Sequence, residues 1–246
     1  HRCSRVPREK GETGEGKTAQ WRFRELFAGK CRLTNAMKRI RSCHVYPPFD
    51  AYLHGHYQQN QDIMHDPTFE RLKREARLPR QYWHMAVPCD SFSILNVNLN
   101  GGTRSGTCPE GAGTLPREIK GNQILERVLV LVNILEESGN YWTLENPRSS
   151  YMFQQPSVQK LLQENGNYIA DIDQCMYGLT FEDALPTEYC KKATRILGNL
   201  RGLDGLSIAC DHSHTHIQAI GGYRSYSGWR KRSSEAAAYP PTLCRA

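Results

Sequence analysis

Apolar positions along this chain fall into two alternating rhythms. Short apolar runs stop abruptly in polar loops, and between them lie stretches with apolar residues three and four apart. Residues 24–28 read as a strand broken by Gly29. Residues 32–40 follow with Leu33, Met37 and Ile40 at helical spacing. Pro47 and Pro48 interrupt the stretch 45–52, which leads to Asp50. Residues 68–78 form an amphipathic pattern with Pro67 at its start and Pro79 at its end, and a strand at 83–87 comes next. The segment 96–116, rich in Gly, Asn and Thr, reads as loop. The strongest helix is 119–137, with Ile124, Val128, Leu131, Val132 and Leu135 on one face and Gly139 closing it. A strand at 141–144, a helix at 157–164, a strand at 168–172 and a further strand at 193–197 complete the series.

Strands alternating with helices imply an α/β domain, a doubly wound and mainly parallel sheet, over residues 21–232. Residues 1–20 and 233–246 lack this periodicity and are expected to be disordered tails. Ligands in such sheets sit beyond the carboxyl ends of the strands. Gly29, Asp50, Asp62, Cys89 and Glu145 all fall at or just past such ends.

Composition narrows the class. A hydrophobic content of 39% suffices for a core, and a formal charge of +7 favours anionic partners such as nucleic acid. Much of the basic excess lies in the first forty residues and at Arg230-Lys231-Arg232. The nine cysteines include no CxxC pair, which points to reduced thiols. The charged start carries no apolar leader, and the longest apolar run, 128–135, is broken by Asn133 and too short for a bilayer. The expectation is an intracellular protein of nucleus or cytoplasm, with no membrane partner.

Gly11-Glu12-Thr13-Gly14-Glu15-Gly16-Lys17-Thr18 matches a phosphate-binding loop pattern. That chemistry needs a buried strand before the glycines, and Arg5-Val6-Pro7-Arg8-Glu9-Lys10 cannot supply one. The match is read as chance.

Two islands carry the candidate chemistry: Val87-Pro88-Cys89-Asp90-Ser91-Phe92-Ser93 and Tyr141-Trp142-Thr143-Leu144-Glu145-Asn146-Pro147. A thiol and a carboxyl group presented from neighbouring strand ends can act on one small planar substrate. Read in order with Glu25-Leu26-Phe27-Ala28-Gly29, Asp50 and Gln61-Asp62-Ile63, these islands resemble the cytosine-5 DNA methyltransferases over roughly residues 22–175. The resemblance implies a Rossmann-like class I methyltransferase fold that binds S-adenosyl-L-methionine. Phe27 and Gly29 would form its first turn, Asp50 would hold the ribose hydroxyls, Asp62 would lie beside the adenine, and Pro88 would stiffen the nucleophile loop. Cys89 would be the nucleophile toward carbon 6 of cytosine in DNA, with RNA as the alternative substrate. Glu145 would bind at N3 as a carboxyl group with raised pKa, and Asn146 would tie the two loops together. The base must be unstacked for such chemistry. A catalytically degenerate, nucleic-acid-binding protein of the same fold is the other reading.

The chain departs from the family pattern at named positions. Cys31 stands where a second glycine is usual and would crowd the methionine part of the cofactor. Val87 replaces a proline, Asp90 a glutamine whose substitution tends to raise the Cys89 pKa, and Pro147 follows the Glu-Asn pair. No Gln-x-Arg-x-Arg segment is present, and residues 173–178 are its nearest positional counterpart.

Cys210-Asp211-His212-Ser213-His214-Thr215-His216 reads as a polar strand or loop, with a zinc site built from its thiol and three imidazoles as the alternative. Ligands two residues apart rarely close a tetrahedral shell alone, so no metal is assigned. Tyr223, Tyr226 and Trp229 interleave with Arg224, Arg230 and Lys231, a mixture suited to unpaired nucleic acid.

Overall fold

The computed structural model describes residues 20–226 and 228–246. Along them run β1 (Trp21–Leu26), α1 (Arg32–Met37), β2 (Cys43–Val45), α2 (Asp66–Ala76), β3 (Gln81–Ala86), α3 (Ile94–Leu99), α4 (Pro116–Glu137) and β4 (Tyr141–Pro147). These are followed by α5 (Pro156–Gln163), β5 (Tyr168–Asp173), β6 (Glu188–Tyr189), β7 (Ala193–Gly198), β8 (Thr215–His216), β9 (Gly222–Ser225), β10 (Gly228–Lys231) and α6 (Arg232–Ala236). The phosphate-loop match at 11–18 lies outside the described residues, as does all but Gln20 of the expected N-terminal tail.

Six strands form one mixed sheet in the order β2-β1-β3-β4-β7-β5. β1 pairs parallel with β2 and with β3, and β3 with β4. β7 runs antiparallel to both neighbours, β4 and β5. Every strand of this sheet except β7 therefore points the same way, and the α/β expectation holds with one reversal.

Strand alternation sorts side chains onto two faces. Trp83, Met85, Trp142 and Leu144 pack against Leu72 of α2 and Val128, Leu131 and Leu135 of α4. Each such side chain contributes about 1.5–3 kcal/mol on burial. On the opposite face Ala170, Ile172 and Ile196 meet Leu33 of α1, Leu203, Tyr239 and Leu243. α2 and α4 each begin on a proline in the first turn, where no intrahelical amide is lost. α4 stops before Gly139, whose φ of 66° only glycine adopts without strain.

Several expectations are corrected. α1 ends at Met37, three residues early, and α3 occupies the start of the stretch read as loop at 96–116. β4 runs to Pro147 rather than Leu144, because β7 pairs with it as far as Pro147↔Thr194. Glu145 and Asn146 thus lie within a strand, not beyond its end. Residues 233–246, expected as a disordered tail, carry most of α6 and a 3₁₀ turn (Leu243–Arg245). Ala236, Ala238, Tyr239 and Leu243 there are buried. Tyr239 and Leu243 join the cluster against Ala170 and Ile172, and Ala236 a separate one with Leu179 and Phe181.

Candidate active site

Glu145 and Asn146 are adjacent in β4 and so face opposite sides of the sheet. Asn146 Nδ2 donates to the Val87 carbonyl at 2.6 Å, fastening β4 to the chain leaving β3. Glu145 faces a cleft of about 360 Å³ shared with Phe27, Gly29, Cys31, Cys89, Lys192 and Tyr239. Cys89 is held there by a tight turn, its carbonyl accepting from the Phe92 and Ser93 amides at 3.0 and 2.9 Å. The two islands, some fifty-five residues apart, therefore bring thiol and carboxyl into one cavity because β3 and β4 are parallel neighbours.

Burial pushes the Cys89 thiol up to about 11, and Glu145 adds to the effect. Lys192 opposes it, and Asp90 raises it as expected but by less than any of these. Lys192 Nζ stands 3.8 Å from Glu145 Oε1. That oxygen is buried and accepts no hydrogen bond from a described residue. A carboxyl oxygen left without a donor is a docking point for a ligand N–H.

A second cleft of about 360 Å³ contains Asp50, Tyr52, Asp62 and Ile63, and meets the first along Phe27, Ala86, Pro88 and Asp90. Asp50 accepts from the Gly29 and Tyr52 amides at 3.0 and 2.8 Å. Asp62 accepts from the Met64 amide at 2.8 Å and from the Tyr57 hydroxyl at 2.9 Å. Each carboxylate oxygen keeps a further lone pair, so both acids are oriented rather than used up. The turn between β1 and α1 is left-handed at Phe27 (φ 60°), Gly29 (φ 48°) and Cys31 (φ 55°). At the two non-glycine positions this costs about 1–2 kcal/mol each, a strain that tends to gather where ligands bind. Cys31 lines the Cys89 cleft and not the Asp50–Asp62 cleft, so its side chain narrows the former.

Three contributors, Lys192, Tyr239 and His84, escaped the sequence reading, and a fourth, Glu25, was named only within its motif. Lys192 precedes β7, and because β7 is reversed its start lies at the carboxyl ends of the parallel strands. Tyr239 arrives from the segment expected to be disordered, and its hydroxyl sits 2.9 Å from His84 Nε2. His84 Nδ1 meets the Thr143 hydroxyl at 2.8 Å. Burial lowers His84 to about 4, so the ring is neutral. Glu25, raised by burial, accepts the Thr34 amide at 2.7 Å and the Thr34 hydroxyl. Lys192, Tyr239 and His84 have no local sequence signal, because each partner comes from a distant element.

Other flagged residues fall elsewhere. Asp173 is buried between Arg148 at 3.5 Å and Lys191 at 3.7 Å. Arg195 forms a two-pronged pair with Asp171 at 2.7 and 2.8 Å. In the β9–β10 hairpin Tyr223 is buried, whereas Tyr226 and Trp229 are 94% and 69% exposed. Among the described residues no helix is long and apolar enough to cross a membrane.

No protein-family model and no curated protein sequence matches this chain. Among solved structures it is similar to the Entamoeba histolytica methyltransferase EhMeth, at 16% identity and a TM-score of 0.40. The alignment covers 82% of this chain and 58% of that one. The chain thus spans little more than half the length of that structure, a likeness too distant to assign an activity.

Proposed function

We propose that this chain is an S-adenosyl-L-methionine-dependent methyltransferase acting on carbon 5 of cytosine in DNA, on a Rossmann-like class I methyltransferase fold. One observation carries the reading: Cys89 and Glu145 share a cleft that opens onto a second cleft bearing Asp50 and Asp62. The second cleft fits the cofactor by chemistry. Anchored Asp50 suits ribose hydroxyls, anchored Asp62 suits the polar edge of an adenine, and Ile63 and Tyr52 supply apolar wall for the purine. Bound there, S-adenosyl-L-methionine supplies an electrophilic methyl group.

The chain's own residues prepare the base. The Cys89 thiolate adds to carbon 6, and the C5–C6 π pair moves toward carbon 5. Glu145 donates a hydrogen bond or proton at N3 as negative charge develops on the ring. Once carbon 5 carries the methyl group, its proton would pass to a cleft water, the C5–H pair would re-form the C5–C6 double bond, and the Cys89–carbon 6 pair would return to sulfur as the thiolate. Lys192 is the cation available to stabilise that thiolate. Tyr226 and Trp229, with Arg224 and Lys231 nearby, offer stacking faces for an unpaired strand.

A degenerate, non-catalytic member of the fold is favoured by one observation, the Cys89 thiol held up to about 11. An oligonucleotide containing 5-fluorocytosine, offered with S-adenosyl-L-methionine, separates the two. A covalent adduct lost in Cys89→Ser supports catalysis. Calorimetric cofactor binding without any adduct leaves only the scaffold, and absence of both removes the methyltransferase reading. DNA and RNA versions of the oligonucleotide distinguish the substrates.

A further inference from the structure

Outside that cleft lies a second cluster. Donor atoms of Cys175, Cys210, His214 and His216 all lie within 4.8 Å of one another. Cys210 Sγ is 3.6 Å from His214 Nε2 and 3.3 Å from His216 Nε2. A tetrahedral zinc ion with Zn–S of about 2.3 Å and Zn–N of about 2.05 Å has a sulfur–nitrogen edge of about 3.55 Å. The two measured separations straddle that edge. From these distances we propose that Cys175, Cys210, His214 and His216 form a closed, structural zinc site.

Chain geometry supports the ligand set. Cys175 sits on the 3₁₀ turn Gln174–Tyr177 that follows β5. Cys210 is placed by its amide, which donates to Asp173 Oδ2 at 2.9 Å, and by the parallel bridge Ile172↔Ile208. His216 lies in β8, which pairs with β6 through Tyr189↔His216. Three separate segments therefore meet at one point. The His212 amide donates to Cys210 Sγ at 3.3 Å, from a left-handed residue at φ 59°. An amide directed at sulfur stabilises a thiolate more than a thiol, as charge-assisted hydrogen bonds do. His212 itself is outside the four-donor group. The fourth ligand is Cys175, thirty-five residues earlier, and not the third histidine of the 210–216 run.

The location also calls for a cross-link. Residues 178–192 and 210–231 lie off the six-stranded sheet, and among the described residues their satellite core is small: Leu179, Phe181, Cys190 and Tyr223, with Ala236 of α6. A metal tying the end of β5 to β8 holds this excursion where burial alone is thin. Lys192 and Ala219, which line the Cys89 cleft, belong to the same excursion. The zinc would act there as a brace, with no open coordination position and no part in chemistry.

The test reads metal, not turnover, and needs neither substrate nor cofactor. Full-length protein purified under reducing conditions is expected to contain one zinc per chain by elemental analysis. Cobalt(II) replacing it should give intense visible bands of a tetrahedral ion together with thiolate-to-metal charge transfer. His212→Asn, which tolerates the left-handed backbone, should keep stoichiometric zinc, and His216→Asn should lose it at least tenfold. Should either substitution unfold the chain, cobalt titration of the reduced wild-type protein decides alone. Protein with no zinc and no cobalt spectrum overturns the site and leaves a hydrogen-bonded cluster. Loss of zinc in His212→Asn with retention in His216→Asn overturns the ligand assignment.

Discussion

Cys89 and Cys210 are both thiols withdrawn from bulk water, and their neighbours differ in kind. Cys89 faces the carboxylates of Glu145 and Asp90, with the Lys192 ammonium opposing them. Cys210 faces a second thiol, two imidazoles and a backbone amide. Burial, with Glu145 and Asp90 adding to it, holds a proton on the first sulfur, which keeps one side open to a cleft. The second surrounds sulfur with nitrogen and sulfur donors, beside a cavity of about 410 Å³ lined by Cys175 and His214. Burial alone does not determine what a cysteine is for. Acids around a thiol keep it protonated, and nitrogen and sulfur donors around it suit a cation.

That contrast breaks most visibly under truncation. Cys210→Ala removes a ligand of the proposed zinc site and is expected to destabilise the chain by more than about 4 kcal/mol. Cys89→Ala, at a cleft wall, should cost no more than about 1 kcal/mol. Chemical denaturation of both variants compares them, and equal small losses would erase the distinction.

The acid limb is the next largest effect. His84, lowered to about 4 by burial, is neutral when folded and readily protonated when unfolded. Its contribution is complete above the unfolded value near 6.5 and is lost as pH falls toward 4, by about 3 kcal/mol in all. Stability measured from pH 7 to pH 4 should fall accordingly, and His84→Gln should flatten the slope. A wild-type slope unchanged by His84→Gln would assign the acid limb to other groups.

The smallest effect sharpens the Cys89 environment itself. With the thiol held up to about 11, alkylation by iodoacetamide should rise about tenfold per pH unit between 7 and 10. Glu145→Gln removes a like charge and should shift that profile to lower pH, by up to about one unit, giving faster alkylation at pH 8. An unshifted profile would mean that Glu145 does not act on the sulfur.

The zinc proposal and the cleft also differ in how far each was legible in the chain. Pro88-Cys89 and Glu145-Asn146 each follow an apolar run, so their arrival at the carboxyl side of parallel strands was readable from periodicity alone. The run Cys210 to His216 drew attention to metal chemistry, with its thiol and three imidazoles as the alternative to no metal at all, and the donor group of the structure differs from that set. His212 has a left-handed backbone and lies outside the donor group, and Cys175 replaces it from the end of β5. Nothing local marks Cys175 as a ligand, because its partners approach only through the 3₁₀ turn after β5 and the β6–β8 pairing.

What the linear chain determined was the set of local elements: apolar rhythm, prolines at helix starts and the glycine stop at Gly139, all set by neighbours within a few residues. The reversal of β7, the burial of Tyr239 and the meeting of Lys192 with Glu145 were decided by tertiary structure. Each depends on which strand edge remains free and which gap remains to be filled, and such conditions exist only after distant segments have packed.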